Sequence, residues 1–170
     1  PCSFALAKGR GRYACTVKVM KLSGGLVQED MFGNAGALNH KPTEADTQTL
    51  EKITQDMQQG KWDGDRDSLD VTINDRLWSN LAIERAACPG RNCAQARNCP
   101  YFRAREGMQK ADLIVANHDL VLADLKLGGG RLLPAPNKSF YILDEAHNLP
   151  AKAVNAFSGG HTVIGMQKIL

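Results

Sequence analysis

The sequence predicts an α/β fold in which parallel strands are interrupted by a long inserted segment. Three observations carry that expectation: apolar runs at residues 3–7 and 112–116 that read as buried strands, helical patterns around them, and a third apolar run, Phe140-Tyr141-Ile142-Leu143, that ends in Asp144-Glu145. Apolar runs alternating with helices are the pattern of parallel strands joined by crossovers. The interval from Cys15 to Cys99 breaks that alternation and reads as an insertion.

Taken in order, the first strand stops at Lys8-Gly9-Arg10-Gly11-Arg12, where two glycines permit a tight bend, and Cys15 lies just beyond it. Cys2 reads as part of the buried strand, where free cysteine behaves as a small hydrophobe. Residues 23–42, rich in Gly and Asn, read as a loop. A helix then begins at Thr43, with Asp46 three residues later as in a capping box; Leu50, Ile53 and Met57 recur on one face until Gly60 stops it. Lys61-Trp62-Asp63-Gly64-Asp65-Arg66-Asp67 is an acidic turn whose alternating oxygens suggest calcium, but it lacks the EF-hand spacing and its distal glutamate. Trp62 and Trp78 read as core anchors. Residues 101–110 form a helix, 112–116 a strand and 118–125 a short helix; a Gly128-Gly129-Gly130 loop and the strand at 140–143 follow.

At 170 residues the chain is long enough to bury a real core, yet it opens on Pro1 and an apolar run, so it reads as an excerpt of a longer protein. No apolar stretch approaches the roughly 20 residues needed to span a bilayer, and no signal-peptide pattern is present. Five cysteines, three of them grouped as Cys88-x4-Cys93-x5-Cys99, suit metal ligation in a reducing cytoplasm better than a secreted disulfide framework. The net charge of +3 hides a division: residues 1–21 carry +5, residues 85–110 carry +5, and residues 22–84 hold 12 acids against 5 bases. Both basic segments contain cysteines. Drawing Cys15 to the other three merges those segments into one positive patch fit for a phosphate backbone.

Four apolar residues ending in Asp144-Glu145 describe a strand delivering two carboxylates to its C-terminal tip, where open α/β sheets bind ligands. One carboxylate suits a magnesium ion bridging nucleotide phosphates; the other suits orienting or deprotonating the attacking water. His147 lies close enough to relay between the nucleotide and the rest of the protein. The bland alternative is a strand end followed by a helix whose first turn favours acids. No Gly-x4-Gly-Lys-Ser/Thr run occurs in residues 1–170, so a phosphate loop is expected before Pro1 and a second lobe after Leu170, and the chain alone is expected not to turn over ATP. The cysteines Cys15, Cys88, Cys93 and Cys99 accept either iron–sulfur or zinc, or are unrelated thiols. Gaps of four and five residues, with Pro100 after Cys99, suit a cubane better than the tight knuckles of structural zinc.

Gly9-Arg10-Gly11-Arg12-Tyr13-Ala14-Cys15, Lys61-Trp62-Asp63-Gly64, the Cys88–Cys93–Cys99-Pro100 spacing, Val115-Ala116-Asn117-His118 and Asp144-Glu145-Ala146-His147 together resemble the DinG-type helicases of the XPD-like iron–sulfur superfamily 2 group. The likeness runs through nearly the whole chain, in the family's order. It implies a partial RecA-like (P-loop NTPase) parallel sheet carrying an inserted, mainly helical iron–sulfur cluster domain. The implied divisions are residues 1–12, strand and turn of the first lobe; 13–110, the cluster domain; 111–150, the first lobe with its Asp-Glu-Ala-His motif; and 151–170, the start of an arch insertion.

The implied activity is ATP-dependent 5′ to 3′ unwinding of forked, displacement-loop and RNA–DNA hybrid substrates, in DNA repair, replication and the SOS response. The implied cofactors are a [4Fe-4S] cluster on Cys15, Cys88, Cys93 and Cys99, and Mg2+ with ATP at Asp144, with Glu145 and His147 completing the catalytic set. Single-stranded and forked DNA, RNA–DNA hybrids and single-stranded DNA-binding protein are the implied partners of a cytoplasmic monomer. Arg10, Arg12, Arg91, Arg97, Arg103 and Arg105 are the candidate DNA contacts, because a planar guanidinium both binds phosphate and stacks on a base. The competing expectation is a zinc-stabilised nucleic-acid-binding module without ATPase activity.

Overall fold

The computed structural model describes residues 2–23 and 43–158. The loop expected at residues 23–42 lies, from residue 24 on, outside the described residues, as does the arch segment expected at 151–170 from residue 159 on. The described chain is α/β, mostly helical, and divides into two compact units: Lys8–Ala111, and a second unit made of Pro1–Ala7 with Asp112–Leu170. One unit therefore interrupts the other between its first two strands. Among the described residues no helix is long and apolar enough to cross a membrane.

In the discontinuous unit, β1 (Phe4–Ala7) pairs in parallel with β2 (Leu113–Ala116), in the register Phe4↔Leu113 to Ala7↔Ala116. A clasp starts the ladder: the Asp112 carboxylate accepts from the Ser3 backbone N–H at 2.9 Å and from its hydroxyl at 2.8 Å. Those bonds hold the Asp112 carboxyl below the usual carboxylate range. The expectation of buried strands needs correction. Phe4, Leu6, Leu113 and Val115 are at least half exposed, and Cys2 is exposed rather than buried. A run apolar on both faces is suited to a strand covered on both sides, and among the described residues that cover is incomplete.

The strand expected at residues 140–143 also needs correction. The segment belongs to no strand, and Phe140 is 104% and Ile142 92% exposed. Apolar composition alone does not make a strand; the backbone needs a neighbour to complete a ladder, and none is present among the described residues.

The Lys8–Ala111 unit holds α1 (Thr16–Ser23), α2 (Glu44–Gln58), α3 (Asp75–Leu81) and α4 (Pro100–Met108). Its core is Ala14, Val19, Leu50, Ile53, Trp62, Leu77, Trp78 and Leu81, with Met57 packed against it. The apolar face of α2 thus points where its periodicity placed it. Thr43 caps that helix with a complete capping box on Asp46. Both tryptophans are core anchors, each with its ring N–H satisfied: Trp62 donates to the Asp65 carbonyl at 2.7 Å and Trp78 to the Gly11 carbonyl at 2.8 Å.

Candidate functional site

Cys15 is placed by backbone bonds from two directions. The Ala14 N–H donates to the Gly64 carbonyl at 2.9 Å, the Cys15 N–H to that of Leu81 at 2.7 Å, and the Ile83 N–H to that of Tyr13 at 2.9 Å. The stretch after the Gly-Arg-Gly-Arg bend is therefore pinned between the acidic turn and the end of α3. The Thr16 hydroxyl reaches the Asn98 carbonyl at 3.3 Å, which brings the residue after Cys15 to the residue before Cys99.

Around this junction Tyr13, Ile83 and Tyr101 form a buried cluster, and Cys15, Cys88 and Cys99 pack against it. Cys99, itself in extended conformation, is the residue from which α4 starts, with Pro100 in the first turn. Burial pushes its thiol above the ordinary value; N–H groups of Phe102 and Tyr101 act in the opposite sense, and Cys15 and Cys88 reinforce the rise. Cys93 sits after a 3₁₀ turn, its N–H bonded to the Gly90 carbonyl at 3.2 Å. All five cysteines are free thiols. Among the described residues no three His, Cys, Asp or Glu side chains are arranged to hold a single metal ion.

Sequence reasoning missed what Gly64 does. It adopts φ +89°, and a Cβ there would lie 2.3 Å from Pro100 Cγ, so only glycine lets the acidic turn close against the residue after Cys99. The Asp63-Gly64 turn signal was readable; its packing partner was not. In the acidic turn, Asp65 takes Lys8 and Asp67 takes Arg12, with a second Lys8–Asp67 contact at 2.9 Å.

The candidate DNA-contacting arginines separate into three groups. Arg12 is paired with Asp67. Arg10 lies 4.7 Å and Arg105 5.9 Å from the Tyr101 ring centroid, and Arg91 lies 5.8 Å from that of Phe102. Arg97 and Arg103 are exposed, and no ion pair or ring contact engages them among the described residues.

In the other unit, Asp144 and Glu145 form a turn that leads through a 3₁₀ step into α6 (Leu149–Phe157). Glu145 is the one non-glycine residue with positive φ among those described, at φ 51° and ψ 38°. Such a conformation is costly for a residue with a Cβ and clusters at functional sites. Two bonds hold it: the Glu145 N–H donates to Asp144 Oδ1 at 2.9 Å, and the Glu145 carbonyl accepts from the Asn148 N–H at 3.0 Å. His147 Nδ1 stands 3.3 Å from Glu145 Oε2, and both side chains are open to solvent.

Directly after β2, Asn117 caps α5 (His118–Lys126) by accepting from the Leu120 N–H at 2.9 Å. Near the helix starts, Lys152 on α6 donates to both Asp119 oxygens on α5, at 2.9 and 2.8 Å. Near the helix ends, Lys126 donates to the Ala156 carbonyl at 2.7 Å. Start meets start and end meets end, so the two helices run in the same direction. The turn carrying Asn117 and His118 and the turn carrying Asp144 to His147 therefore share one end of the pair. His118 is thereby brought to the level of the acidic motif.

The family model described as DEAD_2 matches residues 69–160. The chain is 39% identical over 163 residues to the ATP-dependent DNA helicase DinG of Photobacterium profundum, covering 96% of this chain and 23% of that protein. It is 37% identical over 154 residues to the ATP-dependent DNA helicase DinG of Escherichia coli (strain K12), covering 90% of this chain and 21% of that protein. The protein of the same name from Salmonella choleraesuis is 36% identical over 154 residues, covering 90% of this chain and 21% of that protein. The chain thus spans less than a quarter of the length of these curated relatives.

Proposed function

The chain belongs to the DEAD_2 family, and from that premise we propose that it is part of an ATP-dependent DNA helicase that moves 5′ to 3′ on single-stranded DNA. The observation that carries this reading is the Asp144–His147 turn at the start of α6, level with the turn after β2 at one end of a same-direction helix pair. Turns that lead into helices at one end of an α/β layer are where such proteins bind ligands.

In this reading Asp144 is the carboxylate for Mg2+, which supplies charge neutralisation on the nucleotide phosphates when bound. Glu145, held at a left-handed backbone position, orients or deprotonates the attacking water. His147, its Nδ1 3.3 Å from Glu145 Oε2, is placed to relay between the nucleotide and the rest of the protein.

Cys15, Cys88, Cys93 and Cys99 are the proposed ligands of a [4Fe-4S] cluster. Three of these cysteines already pack against one apolar cluster, and backbone N–H groups of α4 point at Cys99, as thiolate ligands require. When bound, the cluster supplies covalent cross-links that fix the arginine-bearing segments. Arg97 and Arg103 then present open charge to a phosphate backbone, while Arg10, Arg91 and Arg105 stand pre-oriented on aromatic rings. Forked DNA, displacement loops and RNA–DNA hybrids are the proposed substrates, repair and the SOS response the setting, and single-stranded DNA-binding protein a partner.

The test uses the full-length protein. Glu145→Gln should lower DNA-stimulated ATP turnover by about a hundredfold or more while leaving DNA affinity unchanged. Turnover close to that of wild type would remove Glu145 from its role. Metal analysis of anaerobically purified protein should find iron and acid-labile sulfide that both disappear in Cys93→Ser. One zinc per chain would instead favour the zinc-stabilised module.

A further inference from the structure

Asp124 is 1% exposed, and its carboxylate accepts three consecutive backbone N–H groups: Gly130 at 2.8 Å, Arg131 at 2.8 Å and Leu132 at 2.5 Å. Its own carbonyl accepts two more, from Leu127 at 3.0 Å and Gly129 at 2.9 Å. Burial by itself would raise this carboxyl, but the N–H groups of Leu132, Gly130, Arg131 and Leu133 reverse the effect and hold it below the usual range.

The loop can wrap the carboxylate because Gly128, Gly129 and Gly130 all take positive φ, at 96°, 74° and 73°. A nest of successive N–H groups of this kind ordinarily captures an external anion. Here an internal carboxylate fills it. The chain that leaves the nest runs through Leu133, which is buried, to the exposed segment 140–143, then to Asp144 and Glu145, and is next tied to α5 through Lys152 and Lys126. Motif residues 144–148 therefore lie on an excursion with both ends fastened to the same helix and an exposed middle.

We propose that Asp124 is a positioning residue for the acidic motif: its carboxylate fixes the outgoing end of the 133–148 excursion on α5 and thereby sets where Asp144 and Glu145 stand. The proposal rests on reading those two carboxylates as the hydrolytic pair, but its structural half can be tested separately.

In the full-length protein, Asp124→Asn places an amide NH2 against N–H donors. Gly130→Ala leaves the carboxylate intact but forces a Cβ to 3.1 Å from the Ala135 Cα at a left-handed position. Both variants should lower kcat for DNA-stimulated ATP hydrolysis about tenfold or more, with KM for ATP and DNA affinity close to those of wild type. Amide hydrogen exchange should quicken at residues 130–132 and, in parallel, at 144–148. Faster exchange at 130–132 with unchanged exchange at 144–148 and wild-type kcat overturns the proposal. Should Asp124→Asn fail to fold, Gly130→Ala decides by the same criteria. A wild-type protein without ATP turnover would refute the helicase reading, and the exchange data alone would then uphold or reject the role of Asp124.

Discussion

The two units bury themselves to different degrees. The Lys8–Ala111 unit contains the whole of the main buried cluster, with both tryptophans, and closes its acidic turn on Lys8 and Arg12. In the unit of β1, β2, α5 and α6 the buried apolar residues among those described are Ala7, Leu122 and Leu133, while Phe140, Ile142, Val154 and Phe157 are exposed. Packing fixes the first; individual hydrogen bonds fix the second. The cysteine-bearing segment has its own core, whereas the unit with the acidic motif relies on a handful of polar ties: the Asp112 clasp, the Asp124 nest and the two lysines of the helix pair.

The largest contrast should come from paired truncations of apolar residues. Trp78 is 4% exposed, so Trp78→Ala should cost about 3–5 kcal/mol in denaturant unfolding followed by circular dichroism. Ile142 is 92% exposed, so Ile142→Ala should fall within about 0.5 kcal/mol of wild type. Comparable losses at the two positions would mean that residues 140–143 are packed in solution, and the comparison would fail.

A smaller effect should separate polar ties by burial. The side chains of Lys8 and Asp65 are 19% and 13% exposed, which places the pair between buried and surface cases. Asp65→Asn should therefore cost about 2 kcal/mol, less than breaking a fully buried pair. Burial, and secondarily Asp65, raises the Tyr13 phenol above its ordinary value. Its neutral form therefore contributes stability that is complete below about pH 10 and is lost as pH rises through the folded value. In Asp65→Asn that alkaline loss should shrink, as read from unfolding curves against pH.

These contrasts also explain what was legible in the sequence. The capping box of Thr43 and Asp46, the α2 face and the two tryptophan anchors were readable because local pattern and burial agree there. Cys15, Cys88 and Cys99 pack against one apolar cluster, and Gly64 folds against Pro100, both being contacts between residues distant in sequence. Arg12 carried the same local signal as Arg103, yet an acid 55 positions away claims it. The strand expected at 140–143 rests on composition, which records what a segment is built to bury but not whether a neighbour is present to bury it. Asp124 left no signal at all. An aspartate near a helix end ordinarily reads as solvated, and only the three glycines after it, in left-handed conformation, turn the following amides inward.

The smallest expected effect distinguishes the arginines, and salt dependence is the measurement that sees it. Each phosphate contact contributes about 0.7 to the slope of log affinity against log salt on single-stranded DNA, because each releases a condensed counterion. Arg103 has no acidic partner among the described residues, so Arg103→Ala should flatten the slope by about that amount in the full-length protein. Arg12 is already neutralised by Asp67, and Arg12→Ala should leave the slope unchanged within error while weakening the fold slightly. Equal flattening at both positions would mean that DNA displaces Asp67 from Arg12. The acidic turn would then be a competitor for the nucleic acid, set against the cysteine-proximal end of α4 by Gly64, rather than an internal brace.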